Sequence, residues 1–187
     1  MIDVTDFCKY LEDSGFVFFA GVPDSLLSSF CACAAERLDS RFLITANEGN
    51  AVAAAAGHYL ASGRPAVVFM QNSGIGNAVN PLLSLADRKV YGIPMLLIVG
   101  WRGEPGVKDE PQHITQGELT LPFLETMGIK TVILGDDFVS ALSECMETLE
   151  NGGIAALVVR KNTFSEYKPL IPEPTYTMTR EQALEII

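Results

Sequence analysis

"GRPAVVFMQNSGIGN", residues 63–77, sets an unbroken apolar run, Ala66 to Met70, between a Gly-Arg-Pro turn and a polar turn that carries glycine. A strand with one solvated face alternates apolar and polar residues, whereas a strand covered on both faces reads as a continuous apolar run. "AVVFM" is of the second kind, and so are "FVFFAGV" (16–22), "FLITA" (42–46), "MLLIVG" (95–100), "KTVILG" (130–135) and "AALVVR" (155–160). Helical punctuation separates the runs. Asp24 precedes "SLLSSFCACAAERL"; Asn47 precedes "EGNAVAAAAGHYLAS", which Gly63 closes; Asp136 and Asp137 precede "FVSALSECMETLE" ahead of Asn151-Gly152-Gly153. Short side-chain acceptors before a helix and glycine after it are start and stop signals. Buried strands alternating with helices predict an α/β domain, doubly wound, with a mainly six-stranded parallel sheet and helices on both faces.

That pattern predicts a domain over residues 1–160. The next stretch, 161–178, holds three prolines in "KNTFSEYKPLIPEPTYT" and reads as an extended linker. "MTREQALEII" then opens a helix, with Thr179 as N-cap and Gln182 completing a capping box. Residues 179–187 read as the truncated start of a following domain; the alternative is a C-terminal helix docked back on the first domain.

Composition narrows the function. The 187-residue chain is 48% hydrophobic, 19% charged and has a net charge of −10, with 13 Lys and Arg against 23 acids. A core-rich globular protein follows, and the absence of basic runs argues against nucleic acid as a partner. The N-terminus lacks a signal-peptide pattern, and the longest strongly apolar run, "MLLIVGW", is far too short to span a bilayer. No membrane association and a cytoplasmic location are the expectation. Cys8, Cys31, Cys33 and Cys145 form no C-x-x-C pair and read as small buried apolar residues.

In parallel α/β sheets ligands sit beyond the carboxyl ends of the strands, which directs attention to "GVPDS" (21–25), "ANEGN" (46–50), "QNSGIGN" (71–77) and "GWRGEPGVKDEPQHITQG" (100–117). Glu48 stands alone before an alanine-rich helix. There a carboxylate stabilises the helix end electrostatically, and this reading needs no ligand. Ala51, Ala53 to Ala56 and Gly57 leave that helix thin, so sheet, partner or ligand packs close to it. "QNSGIGN" offers backbone amides to an anion, or is simply a tight turn; it matches neither dinucleotide nor P-loop spacing. The long loop carries Arg102, Lys108 and His113 among acids. A loop of that length serves as a binding element or lid, or is a solvated charged surface.

Together "GVPDSLL", "ANEGNAVAAAAGHYLASGRPAVVFMQNSGIGNAVNPLLSLAD" and "IPMLLIVGWRGEPGVKDEPQHITQG" resemble the pyrimidine-binding domain of thiamine-diphosphate-dependent decarboxylases, strongly over residues 15 to 130. The likeness is greatest to the branch that acts on phosphonopyruvate. It implies the thiamine-diphosphate-binding fold and Glu48 as the glutamate that bonds N1′ of the aminopyrimidine, where proton exchange shifts the 4′-amino group to the imino tautomer that takes the C2 proton of the cofactor. It implies further that Asp24, Ser25 and His113 lie near the reacting carbon as proton-relay or positioning groups. Related enzymes have an acid where Ser25 stands, and many have two adjacent histidines where this chain has His113-Ile114. Gln71, Asn72 and Asn77 become polar contacts to the pyrimidine or substrate, and Arg102 and Lys108 candidates for a phosphonate dianion. The implied reaction converts phosphonopyruvate to phosphonoacetaldehyde and carbon dioxide. Mg2+ and the diphosphate are expected on a separate diphosphate-binding domain, of the same protein or a partner chain, and not on metal ligands of this chain. Half an active site, a homo-oligomer and an inactive isolated chain follow. The alternatives are the alpha subunit of an enzyme acting on sulfopyruvate, and a non-catalytic module of the same fold.

Overall fold

The computed structural model describes residues 1–169 and 178–186. Each expected run contributes a strand: β1 Phe19–Gly21, β2 Phe42–Ile44, β3 Ala66–Gln71, β4 Met95–Gly100, β5 Lys130–Ile133 and β6 Ile154–Val159. They form one sheet in the order β2-β1-β3-β4-β6-β5, and every neighbouring pair is parallel. The helices are α1 Val4–Asp13, α2 Ser28–Leu38, α3 Glu48–Ser62, α4 Ile75–Pro81, α5 Ile114–Thr126, α6 Phe138–Glu150 and α7 Arg180–Ile186.

Alternate residues of each central strand feed opposite cores, as the period of two in a strand requires. Val67, Phe69, Leu96, Ile98, Ala155 and Leu157 meet α1, α2 and α6 on one face. Val68, Met70, Met95, Leu97, Val99, Ala156 and Val158 meet α3, α4 and α5 on the other. The face taken by each helix follows from the direction of its crossover. The β1-to-β2 and β5-to-β6 connections run one way along the sheet and put α2 and α6 on the first face; the three that run the other way put α3, α4 and α5 on the second. A single crossover hand produces that division, and the right hand is the one strand twist favours.

β2 departs from the expectation of strands buried on both faces. It is an edge strand, with Leu43 42% and Ile44 62% exposed, because neither helical layer extends over them. Phe42 is held by stacking on Phe69, with centroids 4.8 Å apart. The punctuation acts as read. Asn47 Oδ1 accepts from the Asn50 N–H at 3.0 Å, Gly63 ends α3 at φ 70°, and Asp137 accepts from the Ser140 N–H at 3.0 Å. All four cysteines are buried and free. Burial pushes the Cys31 and Cys145 thiols up to about 12, which leaves them unreactive near neutrality. No helix among the described residues is long and apolar enough to cross a membrane.

Of the expected linker 161–178, residues 170–177 lie outside the described residues. Before them the chain is fastened to the domain. Ile2 N donates to Thr163 O and Ser165 N to Ile2 O, each at 2.8 Å, and the Tyr167 hydroxyl donates to Glu36 at 3.0 Å. Phe164 sits in the core with ring centroids 5.1 Å from Phe7 and 6.1 Å from Phe30. The capping box of α7 is formed: Thr179 N donates to Gln182 Oε1 at 2.9 Å and Gln182 N to Thr179 Oγ1 at 3.2 Å. None of the described side chains of α7 is buried. Phe164→Ala removes a ring that closes the α1/α2 layer and is expected to destabilise the domain by about 3 kcal/mol, measured by urea unfolding; a loss near zero would mean that Phe164 adds nothing to that core.

Candidate active site

The crossover direction reverses between β1 and β3, and the turns leaving β1, β2, β3 and β4 converge beyond that point, where ligands bind in open α/β sheets. Glu48 opens α3 there and is only 9% exposed. Its Oε2 accepts from the Asn77 side-chain amide at 2.8 Å. The rest of the carboxyl group lies flat on Gly74, where a Cβ would overlap it. Close approach, and not an unusual φ, is what requires glycine at this turn. Oε1 accepts no hydrogen bond from the described residues. Behind Glu48, Ala51, Val52, Ala55 and Ala56 are buried under the sheet, whereas Ala53 and Gly57 face outward, so the small residues serve the core and an open surface alike.

A second cluster draws on three turns. Asp24, 8% exposed, caps the short turn after β1 through Oδ2, which accepts from the Leu26 N–H at 3.0 Å and lies over Gly100 at the end of β4. Desolvation raises the pKa of its carboxyl group, against the opposing pull of the Leu26 and Ser25 N–H groups and the charges of Arg102 and His113. Arg102 donates to Ser25 Oγ at 2.7 Å and to both oxygens of Asp109, at 2.9 and 2.6 Å. Asp109 also accepts from the Gly103 and Glu110 N–H groups, each at 2.8 Å, and lies 3.0 Å from His113 Nδ1. The Arg102 guanidinium, helped by those other donors and opposed by desolvation, holds the Asp109 carboxyl far below the usual carboxylate range. Asp109 in turn raises the pKa of Arg102.

Asn72, 5% exposed, ties the turn after β3 to the second cluster. Its amide donates to Arg102 O and Thr120 Oγ1 at 2.8 Å, and its oxygen accepts from Arg102 N at 3.2 Å. The amide is thus committed to holding the β3 turn against the loop after β4. Gln71 donates to Ser73 Oγ at 2.6 Å at the rim. Lys108 is apart from the rest: it is exposed and makes no hydrogen bond or ion pair with the described residues.

The loop is fastened at its two ends. Gly117 in α5 lies against the Gly103 carbonyl so closely that a Cβ would overlap it, and Trp101 Nε1 donates to Gly117 O at 2.8 Å. This fastening holds the two ends of the loop, while Pro105 to Lys108 between them are exposed. Asp109 escaped the sequence reading as one loop acid among several, although the Asp-x-x-x-His spacing of "DEPQH", with proline at the helix entry, was a usable signal. Among the described residues, no group of three or more His, Cys, Asp or Glu is placed to hold a metal ion.

The burial of Asp24 fixes the sign of a pH effect. A carboxyl group with a raised folded-state pKa favours the folded state while protonated; that advantage falls away as pH rises from the ordinary carboxylate value through the raised one. Asp24→Asn is therefore expected to have a higher Tm than wild type at neutral pH, with the difference vanishing below the ordinary carboxylate range. Asp109 has the opposite sign, its contribution being complete above that range and lost on acidification. Tm measured against pH for the wild type and Asp24→Asn checks this; a Tm lower than wild type at neutral pH would contradict it.

With this geometry in place, similarities to known proteins gain meaning. The family model for "Thiamine pyrophosphate enzyme, N-terminal TPP binding domain" matches residues 4–132. The chain is 36% identical over 152 residues to phosphonopyruvate decarboxylase of Streptomyces viridochromogenes, a match covering 80% of this chain and 38% of that protein. It is 36% identical over 121 residues to sulfopyruvate decarboxylase subunit alpha of Methanococcus maripaludis, covering 65% of this chain and 70% of the subunit. The crystal structure of benzoylformate decarboxylase from Polynucleobacter necessarius superposes with a TM-score of 0.64 at 18% identity, over 95% of this chain and 33% of that one, a likeness of fold alone. The chain belongs to the thiamine pyrophosphate enzyme family, and it carries that family's N-terminal TPP binding domain.

Proposed function

We propose that this chain supplies the pyrimidine half of a thiamine-diphosphate-dependent decarboxylase that converts phosphonopyruvate to phosphonoacetaldehyde and carbon dioxide. The observation that carries the reading is Glu48: a nearly buried carboxylate with one oxygen held by Asn77 and the other free of described donors above a bare glycine. The fit to an aminopyrimidine is chemical, since a ring nitrogen bearing a proton completes the donor set that Oε1 lacks. When bound, thiamine diphosphate supplies the electron sink that receives the pair left as carbon dioxide departs. Glu48 holds a proton in common with N1′, and Asn77 keeps its carboxylate turned toward that atom. The packed turns leave Glu48 only 9% exposed, which limits the water around the shared proton.

Asp24, Ser25 and His113 form the proton-handling side, where the net reaction takes up one proton at the carbon that loses carbon dioxide. Arg102 meets the substrate's anionic group through the N–H groups that Asp109 and Ser25 leave free, with Lys108 at the rim. Asn72 holds the β3 turn in place beside the pyrimidine, and Gln71 offers a polar contact at the rim. The match to the phosphonopyruvate enzyme extends over 152 residues against 121 for the sulfopyruvate subunit, which favours the phosphonate. The opposing observation is that identity to that subunit is the same 36% as to the phosphonopyruvate enzyme. Sulfopyruvate is therefore the second reading.

The remainder of the site is assigned to a diphosphate-binding domain that holds Mg2+, in the same protein or a partner chain, within a cytoplasmic homo-oligomer. Exposed Leu60, Leu83, Leu119 and Phe123, on α3, α5 and the segment after α4, support a covering partner. A panel of phosphonopyruvate, sulfopyruvate and pyruvate with the full-length protein, together with any partner chain that carries the diphosphate-binding domain, and added thiamine diphosphate and Mg2+, read by aldehyde release, tests the proposal. The highest kcat/KM is expected for phosphonopyruvate. Preference for sulfopyruvate would transfer the assignment to the second reading, and no aldehyde from any of the three would overturn both.

A further inference from the structure

The Asp109 hub is the feature whose chemistry remains unused. Its carboxylate gathers Arg102 Nε and Nη2, the Gly103 and Glu110 N–H groups and the His113 ring within one loop. An aspartate held far below the ordinary range stays anionic and can only accept. Facing it across 3.0 Å, His113 Nδ1 must therefore carry the hydrogen. Both side chains are mostly covered, 15% exposed for Asp109 and 16% for His113, so water does not readily substitute for either partner. The carboxylate also grips Arg102 with two N–H bonds, which turns a third N–H of the same guanidinium onto Ser25 Oγ.

We propose that Asp109 is a positioning residue: it fixes His113 in the Nδ1–H tautomer, so that Nε2 is the ring's one proton-exchanging atom, and it sets Arg102 against Ser25 through the same carboxylate. This deepens the decarboxylase reading by assigning the atom of His113 that handles the proton, and rests on that reading only for its kinetic consequence. A carboxylate that orients an imidazole in this way is a general means of choosing the tautomer. The geometry also gives Arg102 a fixed direction of approach, because a fork bound on one edge presents only its other edge.

Long-range proton–nitrogen NMR of the imidazole rings in the full protein tests this without cofactor or substrate. His113 is assigned by the signal that disappears in His113→Gln. His58, stacked on Phe18 with centroids 4.8 Å apart, serves as a control from the same chain. With its ring neutral, wild-type His113 is expected as the Nδ1–H tautomer. In Asp109→Ala the Nε2–H form preferred by a histidine side chain in water becomes the major one, with His58 unchanged. Wild-type His113 in the Nε2–H form overturns the proposal whether or not any variant folds. A folded Asp109→Ala protein that keeps the Nδ1–H form also overturns it. On the best substrate of the panel, Asp109→Ala is expected to lower kcat more than it changes KM, and the loss in the Asp109→Ala, His113→Gln double variant to be smaller than the product of the two single losses, because the part of the Asp109 effect that runs through His113 is already gone. Fully multiplicative losses would contradict action through His113. If no 2-oxoacid is turned over, the decarboxylase reading fails and the NMR result still decides the tautomer.

Discussion

Crossovers of one hand in a parallel sheet deliver the carboxyl ends of β1, β2, β3 and β4 to a single edge, and every polar group of the site depends on that delivery. The strand order reverses between β1 and β3, so α2 and α3 leave on opposite faces and open a crevice between their starts. Asp24, Glu48, Asn72 and Arg102 are far apart in sequence, yet each stands within a few residues of a strand end at that edge. Gly74 turns the arrangement into a site, since only a residue without Cβ lets the β3 turn lie against the Glu48 carboxylate.

The acids at this edge are held in contrasting ways. Asp24 is desolvated and poorly compensated, and its carboxyl pKa rises. Asp109 is gripped by a guanidinium and two backbone N–H groups, and its pKa falls. Glu48 has one donor on one oxygen and room for another on the second. Groups driven apart by their surroundings are suited to different roles in proton transfer, the fixed anion to accepting hydrogen bonds and the desolvated acid to holding a proton.

Much of this was legible in the residues. Continuous apolar runs announced strands covered on both faces, and the caps Asn47, Asp137 and Thr179 formed as their spacing indicated. Glu48 was conspicuous as a lone acid before alanines. What escaped was tertiary. The exposure of Leu43 and Ile44 follows from β2 standing at an edge, which strand order decides and local sequence does not. Phe164 lies after three polar residues and before a proline-rich stretch, so its burial between Phe7 and Phe30 depends on partners over a hundred residues away. The bonds of Asn72 to Arg102 and Thr120 were equally hidden, since they join residues 30 and 48 positions apart. The loop after β4 suggested mobility by length alone, and the Gly103 to Gly117 approach that fastens it involves no side chain a pattern search would score.

The claim on which the rest turns is that Glu48 exchanges a proton with the aminopyrimidine. The most direct measurement is the rate at which the C2 hydrogen of thiamine diphosphate bound to the full protein exchanges with deuterated water, in the wild type and in Glu48→Gln, at saturating cofactor and Mg2+. A slowing on the order of a hundredfold or more in the variant is the expected result. Equal exchange rates would contradict a proton-switching role and return Glu48 to a charge at the end of a helix.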